Sequence, residues 1–327
     1  MAAETVLVVQ EGLDRVVIFA AADPARRDVI GVGEKPHEIE VTPDGRTAYV
    51  SNFGLLEANL KVGTPGTTIS VLDVERRVER GRYHLPEGAT APHGLKLRPP
   101  DFRELFTNAE AGSAGMVVFD AESGEVRRTF PLPHGIHNFL FDAGGVSLFA
   151  FTLSGEVCRI DPDSGAVIAT VQTGSPRGLA WSAGFDRLIA SGRNQILLLD
   201  PARLTVERRF ADLGVGQVFY PAATPDGRWI LAPAVLDGVL LVLDADSGAV
   251  AHRIATGSPL LAVMGPGGRH AWVSNVLVPA GMFGPQTRGE VGGVDRLDLE
   301  TLRTTRIPGT PDANGLGVGA AWTVEGA

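Results

Sequence analysis

The chain has 327 residues, of which 44% are hydrophobic and 20% charged, so it is long enough to bury a large core. Its net charge is −9 and no cluster of Lys and Arg stands out in the sequence, so a nucleic-acid partner is not expected. The apolar runs are interrupted by Asp and Gly, which argues against a membrane span, and the one cysteine, Cys158, allows no disulfide within the chain and favours a cytoplasmic location.

The first 35 residues predict short strands and no targeting segment. The segments "TVLVVQ", "RVVIFA" and "RDVIGV" are rich in β-branched residues, which favours three strands. The N-terminus has neither a basic start nor a sustained apolar core, so it lacks the pattern of a signal peptide.

From residue 36 onward, one four-strand pattern recurs along the chain. The first strand of each copy turns into the second at a corner that is rich in Pro, Asp and Gly, as in "TPDGR" at 42–46 and 224–228, "DAGGV" at 142–146 and "GPGGR" at 265–269. The third strands end in Asp, namely Asp73, Asp120, Asp161, Asp200, Asp244 and Asp298. Several of these aspartates begin an Asp-x-x-Ser-Gly segment, namely "DAESG", "DPDSG" and "DADSG". Asp accepts hydrogen bonds from the backbone just after it and Gly adopts positive φ, so these segments predict tight hairpin turns.

Alignment of the first strands places one residue of each copy at an equivalent position: His37, His93, His137, Arg177, Phe219, Leu260 and Asn314. Successive members are 56, 44, 40, 42, 41 and 54 residues apart. A period of 40–45 residues with four strands is typical of a β-propeller, and the two longer spacings indicate insertions. We therefore predict an all-β, seven-bladed β-propeller.

The predicted propeller is a single domain that spans residues 1–327. Its blades cover approximately 36–91, 92–135, 136–175, 176–215, 216–258 and 259–310, and a last blade combines 311–327 with 1–35. In this last blade the first strand comes from the C-terminus and three strands come from the N-terminus. Such sharing would close the ring and leave no open sheet edge.

Short sequence motifs give the chain a resemblance to a known group of propellers. The motifs are "YVSN" at 49–52, "LFTN" at 105–108 and "WVSN" at 272–275, together with the "PDG" corners and the strands ending in "VLD". The chain resembles the YVTN-type seven-bladed β-propellers, and that broad group is similar to streptogramin B lyases, lactonases and several metal- or cofactor-bearing propellers. The resemblance implies the fold and leaves the function open, because the group also includes proteins that only bind or scaffold.

Strand direction alternates within a blade, so the starts of the first strands and the ends of the second strands are expected on one face. Two insertions, 53–66 and 276–291, fall on the same face. They carry the apolar residues Leu55, Leu56, Met282 and Phe283. We expect these insertions to form walls or a lid over the mouth of the central channel; the alternative is that they are tolerated surface loops.

The histidines of three successive copies predict a metal site. His37, His93 and His137 would point into the channel from adjacent blades, and three imidazoles can hold one ion while leaving positions for water or substrate. We therefore expect a divalent metal ion as cofactor; zinc, iron, nickel, copper and magnesium are not distinguished by the sequence. The alternatives are a polar pocket without a metal, and histidines that bond only to backbone at the channel rim.

Other polar and apolar residues of the same face complete the predicted site. The predicted catalytic residues are Glu110 and Glu57, as a fourth ligand or general base, and Arg177, as a clamp for an anionic or carbonyl group. The predicted substrate-binding residues are Asn52, Asn108, Phe219, Tyr220, Asn275, Phe283 and Asn314. The expected partner is a small-molecule substrate, with no nucleic acid or membrane, and the oligomeric state is left open.

Three functions remain open at this point. The first is a metal-assisted enzyme that acts on a small organic molecule, as a lyase, isomerase or lactone hydrolase. The second is a non-catalytic binding or scaffold propeller, in which apolar residues of the insertions form a partner surface. The third is a redox or haem-linked propeller.

Overall fold

The computed structural model describes residues 4–56, 59–112, 115–133, 135–182, 187–277 and 292–319. The chain divides into two compact units. Unit 1 comprises Met1–Pro131 and Ile307–Ala327, and unit 2 comprises Leu132–Arg306. The predicted residues Glu57, Met282 and Phe283 lie outside the described residues.

Unit 1 consists of three four-stranded sheets and one short hairpin. Its strands are β1 (Thr5–Gln10), β2 (Arg15–Ala20), β3 (Asp23–Gly31), β4 (Pro36–Val41), β5 (Thr47–Asn52), β6 (Leu55–Leu56), β7 (Asn59–Gly63), β8 (Thr68–Asp73), β9 (Val78–His84), β10 (Ala89–Leu97), β11 (Glu104–Gly112), β12 (Met116–Asp120), β13 (Val126–Phe130) and, near the C-terminus, β30 (Ala313–Gly319). The sheet orders are β3-β2-β1-β30, β4-β5-β8-β9 and β10-β11-β12-β13, and β6 pairs with β7. One sheet therefore combines the last described strand with the first three.

Unit 2 consists of four sheets built in the same way. Its strands are β14 (Ile136–Phe141), β15 (Leu148–Thr152), β16 (Glu156–Ile160), β17 (Val167–Gln172), β18 (Leu179–Ser182), β19 (Arg187–Gly192), β20 (Gln195–Asp200), β21 (Thr205–Ala211), β22 (Ala222–Ala223), β23 (Trp229–Ala234), β24 (Val239–Asp244), β25 (Val250–Ala255), β26 (Pro259–Met264), β27 (His270–Asn275), β28 (Gly293–Asp298) and β29 (Thr304–Ile307). Each group of four consecutive strands forms one sheet. Helical structure among the described residues is limited to the 3-10 turns Glu11–Leu13, Val235–Asp237 and Pro266–Gly268.

The corners of the sheets have the predicted turn chemistry. In the first corner, the amide of Gly45 donates to the carbonyl of Thr42 at 2.8 Å, and Gly45 has a φ of 70°. The Asp44 carboxylate accepts from the Thr42 hydroxyl at 2.6 Å and from the Arg46 amide at 3.0 Å. Short-range hydrogen bonds of this kind depend on few residues, which is why the corners could be found in the sequence.

The turn after the third strand is stabilised by its aspartate. In blade two the Asp120 carboxylate accepts from the amides of Ser123 at 2.8 Å and Glu122 at 3.0 Å, and Gly124 has a φ of 77°. Together with the side chain of Arg127, these donors lower the pKa of Asp120 to about 2. Asp120 is therefore a turn former, as predicted.

The cores of the two units lie between neighbouring sheets. In unit 1, one cluster contains Leu7, Ile18 and Val50, and another contains Tyr49, Leu95 and Phe119. The outermost strand β9 is mostly exposed, whereas the inner strands β5 and β8 are nearly continuous buried runs. Burial of apolar side chains on both faces of the inner strands stabilises the stack of sheets.

Seven four-stranded sheets within the described residues confirm the predicted fold class, an all-β, seven-bladed β-propeller. Each unit contains whole blades; that all seven form a single domain stays a prediction. Among the residues that the structure describes, no helix has the length and apolar composition needed to cross a membrane.

Candidate metal centre

A β-bulge lies at the start of the first strand in several blades. In β4 the pairing passes from Pro36 opposite Asn52 to Ile39 opposite Val50, so β4 has one more residue than β5 in this interval. The same irregularity occurs in β10 and β30 of unit 1 and in β14 and β26 of unit 2. A bulge breaks the alternation of side chains and re-aims them. The equivalent positions that the sequence identified are therefore bulge positions in these strands.

The bulges of β4 and β10 bring two histidines of unit 1 together. The ring centroids of His37 and His93 are 4.2 Å apart, with an angle of 51° between the ring planes. Phe53 packs against both rings, at centroid distances of 5.6 Å from His37 and 5.3 Å from His93. His93 and Phe53 are fully buried, and His37 is 6% exposed. The apolar wall of Phe53 thus limits how far the two imidazoles can rotate.

Two carboxylates lie beside this histidine pair. One ring nitrogen each of His37 and His93 and one carboxylate oxygen of Glu38 all lie within 4.8 Å of one another. The Oε1 atom of Glu110 in β11 is 3.9 Å from Nδ1 of His93, and the Glu110 side chain is 18% exposed. Imidazole and carboxylate groups are common ligands of divalent transition metals, so these four side chains can provide a mixed nitrogen and oxygen site.

A charged pair adjoins the histidine cluster. Nζ of Lys96 is 3.3 Å from Oε2 of Glu40, whose other oxygen accepts from the Leu97 amide at 3.1 Å. Burial acts to lower the pKa of Lys96, but the carboxylates of Glu40 and Glu38 outweigh it and raise that pKa above its ordinary value. Lys96 is thus a cation that pairs with Glu40 and interacts electrostatically with Glu38, a member of the cluster.

Ser51 connects the bulges that carry the two histidines. Its hydroxyl oxygen accepts from the Glu38 amide at 3.0 Å, and the hydroxyl donates to the His93 carbonyl at 2.9 Å. Ser51 is fully buried. The serine of "YVSN" therefore positions the backbone of both bulges within unit 1.

Asn314 is placed against His37. Its Nδ2 atom is 2.8 Å from Nδ1 of His37, and both side chains are buried. The next residue, Gly315, allows this approach, because a Cβ atom there would be 2.6 Å from the His37 carbonyl oxygen. Asn314 was predicted to bind substrate; in the structure it contacts a predicted metal ligand.

The other predicted asparagines make hydrogen bonds within their sheets. Asn52 accepts from the Gly33 amide at 3.0 Å, Asn108 accepts from the Gly94 amide at 2.8 Å, and, in unit 2, Asn275 accepts from the Ser258 amide at 3.1 Å. All three are buried. Each carboxamide thus accepts from a backbone amide, and the role of these three residues in substrate binding stays a prediction.

The remaining predicted residues belong to unit 2. His137 is buried in the bulge of β14, with its ring 5.6 Å from that of Phe151. Half-buried Arg177 precedes β18, and its guanidinium donates to the Pro176 carbonyl at 2.9 Å. Whether His137 binds a metal ion and Arg177 an anion stays a prediction.

Two predicted aromatic residues lie between β21 and β22 of unit 2. Phe219 is half-buried, and its amide donates to the Pro233 carbonyl at 2.8 Å. Tyr220 forms a parallel β-bridge with Leu261. The Cα atom of Tyr220 also lies close to Gly178, because a Cβ atom added to Gly178 would be 2.6 Å from it. The structure thus brings the first-strand starts of three successive blades together within unit 2.

Sequence reasoning missed Glu38, Ser51, Phe53 and Lys96. Strict alternation along β4 would place His37 and Glu38 on opposite faces, and only the bulge between Pro36 and Ile39 changes this. A Pro-His pair at the start of a strand, followed by an acidic residue, is the signal that could have suggested it. Cys158 is buried, and this burial raises the pKa of its thiol to about 11.

The chain matches no protein-family model and no curated protein sequence. Among solved structures, it is similar to the dihydro-heme d1 dehydrogenase NirN in complex with DHE, with a TM-score of 0.67 and 14% identity over 96% of this chain and 74% of that chain. It is also similar to the hydrazine synthase of Kuenenia stuttgartiensis, with a TM-score of 0.67 and 18% identity over 82% of this chain and 88% of that chain. At these identities the likeness shows the fold alone, the seven-bladed β-propeller, and the YVTN-type relation stays a resemblance.

Proposed function

We propose that unit 1 binds a divalent metal ion through His37, His93 and Glu38, and that the protein is a metal-assisted enzyme acting on a small organic molecule. The observation that carries this proposal is the convergence of the three ligand groups within 4.8 Å. Nitrogen and oxygen ligands lie about 2.0–2.2 Å from ions such as zinc, so two ligands of one ion are about 3–4 Å apart. Side-chain movements of about an ångström would bring the three groups to these distances.

The charges around the histidines fit a dication. Glu38 and Glu110 lie beside the histidines and contribute two negative charges in their ionised forms, whereas the charge of Glu40 is balanced by its ion pair with Lys96. Partly buried charges attract each other more strongly than charges in water, because the local dielectric constant is lower. A divalent ion would neutralise this group, whereas a monovalent anion would be repelled by it.

The site suits chemistry at a carbonyl group. A bound divalent ion would polarise a carbonyl oxygen and acidify the adjacent carbon. In this proposal Glu38 is a ligand, and Glu110 removes the proton from that carbon as a general base, since its carboxylate is partly exposed and lies beside the cluster. Proton removal of this kind begins many lyase and isomerase reactions; hydrolysis of a lactone would instead require the same base to activate water.

Metal titration tests the binding part of the proposal. Protein freed of metal by chelation is titrated with Zn²⁺ and with Co²⁺, whose visible absorption reports its ligands. We expect one ion per chain, and at least about tenfold weaker binding in His93→Ala and Glu38→Gln. His84→Ala is the matched control, because His84 lies on an exposed strand of the same unit. Binding below about a tenth of an equivalent, or equal binding by all variants, would overturn the proposal.

Proton exchange tests the enzymatic part. The metal-loaded protein is incubated in deuterated water with a panel of small lactones and hydroxy acids, and loss of the proton beside the carbonyl is followed by NMR. We expect exchange that needs both the metal and Glu110, so Glu110→Gln should bind Zn²⁺ and fail to exchange. Exchange that Glu110→Gln retains would refute the role given to this carboxylate.

A redox function with a haem-type group is the second candidate, because the fold is shared with a dihydro-heme d1 dehydrogenase. Two histidines on opposite sides of one iron would have ring centroids about 6 Å apart. The centroids of His37 and His93 are 4.2 Å apart, so one of them at most fits as an axial ligand. A shift of the visible absorption band when haemin is added, lost in His37→Ala or His93→Ala, would favour this candidate over the first.

A further inference from the structure

We propose that Asn314 selects the tautomer of His37, and that its carboxamide turns over when a metal ion binds. Asn314 is then a positioning residue that decides which ring nitrogen His37 can offer as a ligand. The part concerning metal rests on the function proposed above. The part concerning the tautomer rests only on the geometry of unit 1.

The contact between the two side chains is close and shielded from water. Nδ2 of Asn314 is 2.8 Å from Nδ1 of His37, with 5% and 6% of the two residues exposed. Asn314 lies in the bulged part of β30, between Ala313 opposite Gln10 and Leu316 opposite Val8. A buried hydrogen bond of this length is costly to break unless another partner replaces it. The orientation of the amide therefore determines whether Nδ1 of His37 accepts or donates.

The orientation of the amide determines the position of the imidazole proton. An amide nitrogen carries two hydrogens and can only donate, so Nδ1 of His37 must accept in this arrangement. In a neutral imidazole the proton is then on Nε2. In that tautomer neither ring nitrogen has a lone pair available for a metal ion, because Nδ1 is used by Asn314 and Nε2 is protonated.

Rotation of the carboxamide reverses this assignment. When Oδ1 of Asn314 faces Nδ1, the oxygen accepts a hydrogen bond from Nδ1–H, and Nε2 has a lone pair. Metal-bound histidines usually donate their second ring N–H to an oxygen in this way, which fixes both the tautomer and the ring orientation. The rotation exchanges two groups of similar size, so the close packing at Gly315 is preserved.

The tautomer can be measured without any metal. Long-range nitrogen–proton correlation spectra of the metal-free, ¹⁵N-labelled protein at about pH 8, where an unperturbed imidazole is neutral, distinguish Nδ1–H from Nε2–H. The signals of His37 are assigned by their loss in His37→Ala. We expect Nε2–H with an unprotonated Nδ1 in the wild-type protein, and a protonated Nδ1 in Asn314→Asp, whose carboxylate can only accept. An Nδ1–H tautomer in the metal-free wild type, or an Nε2–H tautomer in Asn314→Asp, would overturn the inference.

Zn²⁺ affinity provides the second measurement. Asn314→Asp should bind Zn²⁺ about tenfold more tightly than the wild type, whereas Asn314→Leu, which has a similar volume and no acceptor, should not. Asn52→Asp is the control for added negative charge, because it introduces the same group in unit 1 at a residue bonded to Gly33. Equal gains in Asn314→Asp and Asn52→Asp would assign the effect to charge and refute tautomer selection. If the wild type binds no Zn²⁺, the proposed function fails, and the tautomer spectra still decide whether Asn314 controls His37.

Discussion

Replacement of Ser51 by Ala should destabilise the protein and also weaken Zn²⁺ binding at the proposed metal site. In the structure the Ser51 hydroxyl satisfies two backbone groups, the Glu38 amide at 3.0 Å and the His93 carbonyl at 2.9 Å. Ser51 is fully buried, so water cannot easily replace the lost hydroxyl. Each buried polar group that loses its partner costs about 1–3 kcal/mol, and partial relaxation of the bulges leaves an expected total of about 2–4 kcal/mol.

Thr107→Val is the matched control for Ser51→Ala. Thr107 occupies the same position in "LFTN" and is equally buried, but among the described residues its Oγ1 atom has no hydrogen-bond partner. Val has almost the shape of Thr, and removal of an unsatisfied hydroxyl should change the free energy of unfolding by less than about 0.5 kcal/mol or increase it. The pair of variants thus separates the hydrogen bonds of Ser51 from the general effect of a change at this strand position.

The assay is urea-induced unfolding of both variants and the wild type, with the free energy of unfolding obtained by linear extrapolation. Zn²⁺ affinity is measured on the same samples, and Ser51→Ala should bind about tenfold more weakly because the bulges that aim His93 and Glu38 relax. If Ser51→Ala costs no more stability than Thr107→Val, the bulge-anchoring role of Ser51 is wrong. If the stability falls as expected while Zn²⁺ affinity is unchanged, Ser51 supports the fold but not the site.

Three other results are expected from the structure. The Arg128 side chain is the main cause that lowers the pKa of Glu104 from 4.5 to about 2. This interaction should therefore stabilise the protein above about pH 4.5, and the stabilisation should be lost as the pH falls towards 2. In denaturant unfolding, Glu104→Gln should lower the free energy of unfolding by about 1–2 kcal/mol at pH 7 and make it depend less on pH on the acid side. Gly315→Ala should cost about 2–3 kcal/mol in the same assay, since its Cβ atom would be 2.6 Å from the His37 carbonyl oxygen; an unchanged stability would mean that β30 moves freely. Cys158 should resist alkylation by iodoacetamide at about pH 8 in the folded protein and react after unfolding, because its thiol is buried and its pKa is about 11; rapid labelling of the native protein would contradict this environment.

Much of the fold was predictable because its signals are local. The hairpin after a third strand depends on residues within five positions of each other: an Asp and, four residues later, a residue with positive φ, which is Gly124 after Asp120 and Leu204 after Asp200. Runs of β-branched and other apolar residues mark the strands between these turns. The equivalence of His37 and His93 also followed from the repeat, and the structure places their rings 4.2 Å apart. Because every repeat has the same number of strands, the first strand occupies the same place in each blade. Residues that are equivalent in the repeat are therefore also equivalent in their blades.

The roles of individual polar residues were not predictable in the same way. Asn52 ends a strand at the same level as the histidines, and the structure shows its carboxamide bonded to the Gly33 amide, a contact that the sequence pattern does not reveal. Glu38 looks like a surface residue because it alternates with His37, yet it lies within reach of both histidines. Both outcomes depend on backbone geometry that one strand cannot specify alone.

The sequence by itself therefore determined the architecture, the number of blades and the identity of the histidine positions. Only the tertiary structure decided which side chains share a site, because a β-bulge of one residue exchanges the faces of a strand, and its location is set by bonds to a neighbouring strand or blade. The hydroxyl of Ser51, which bonds the backbones of Glu38 and His93, is the clearest case: the serine is visible in the motif "YVSN", but its two partners are 13 and 42 residues away in the chain.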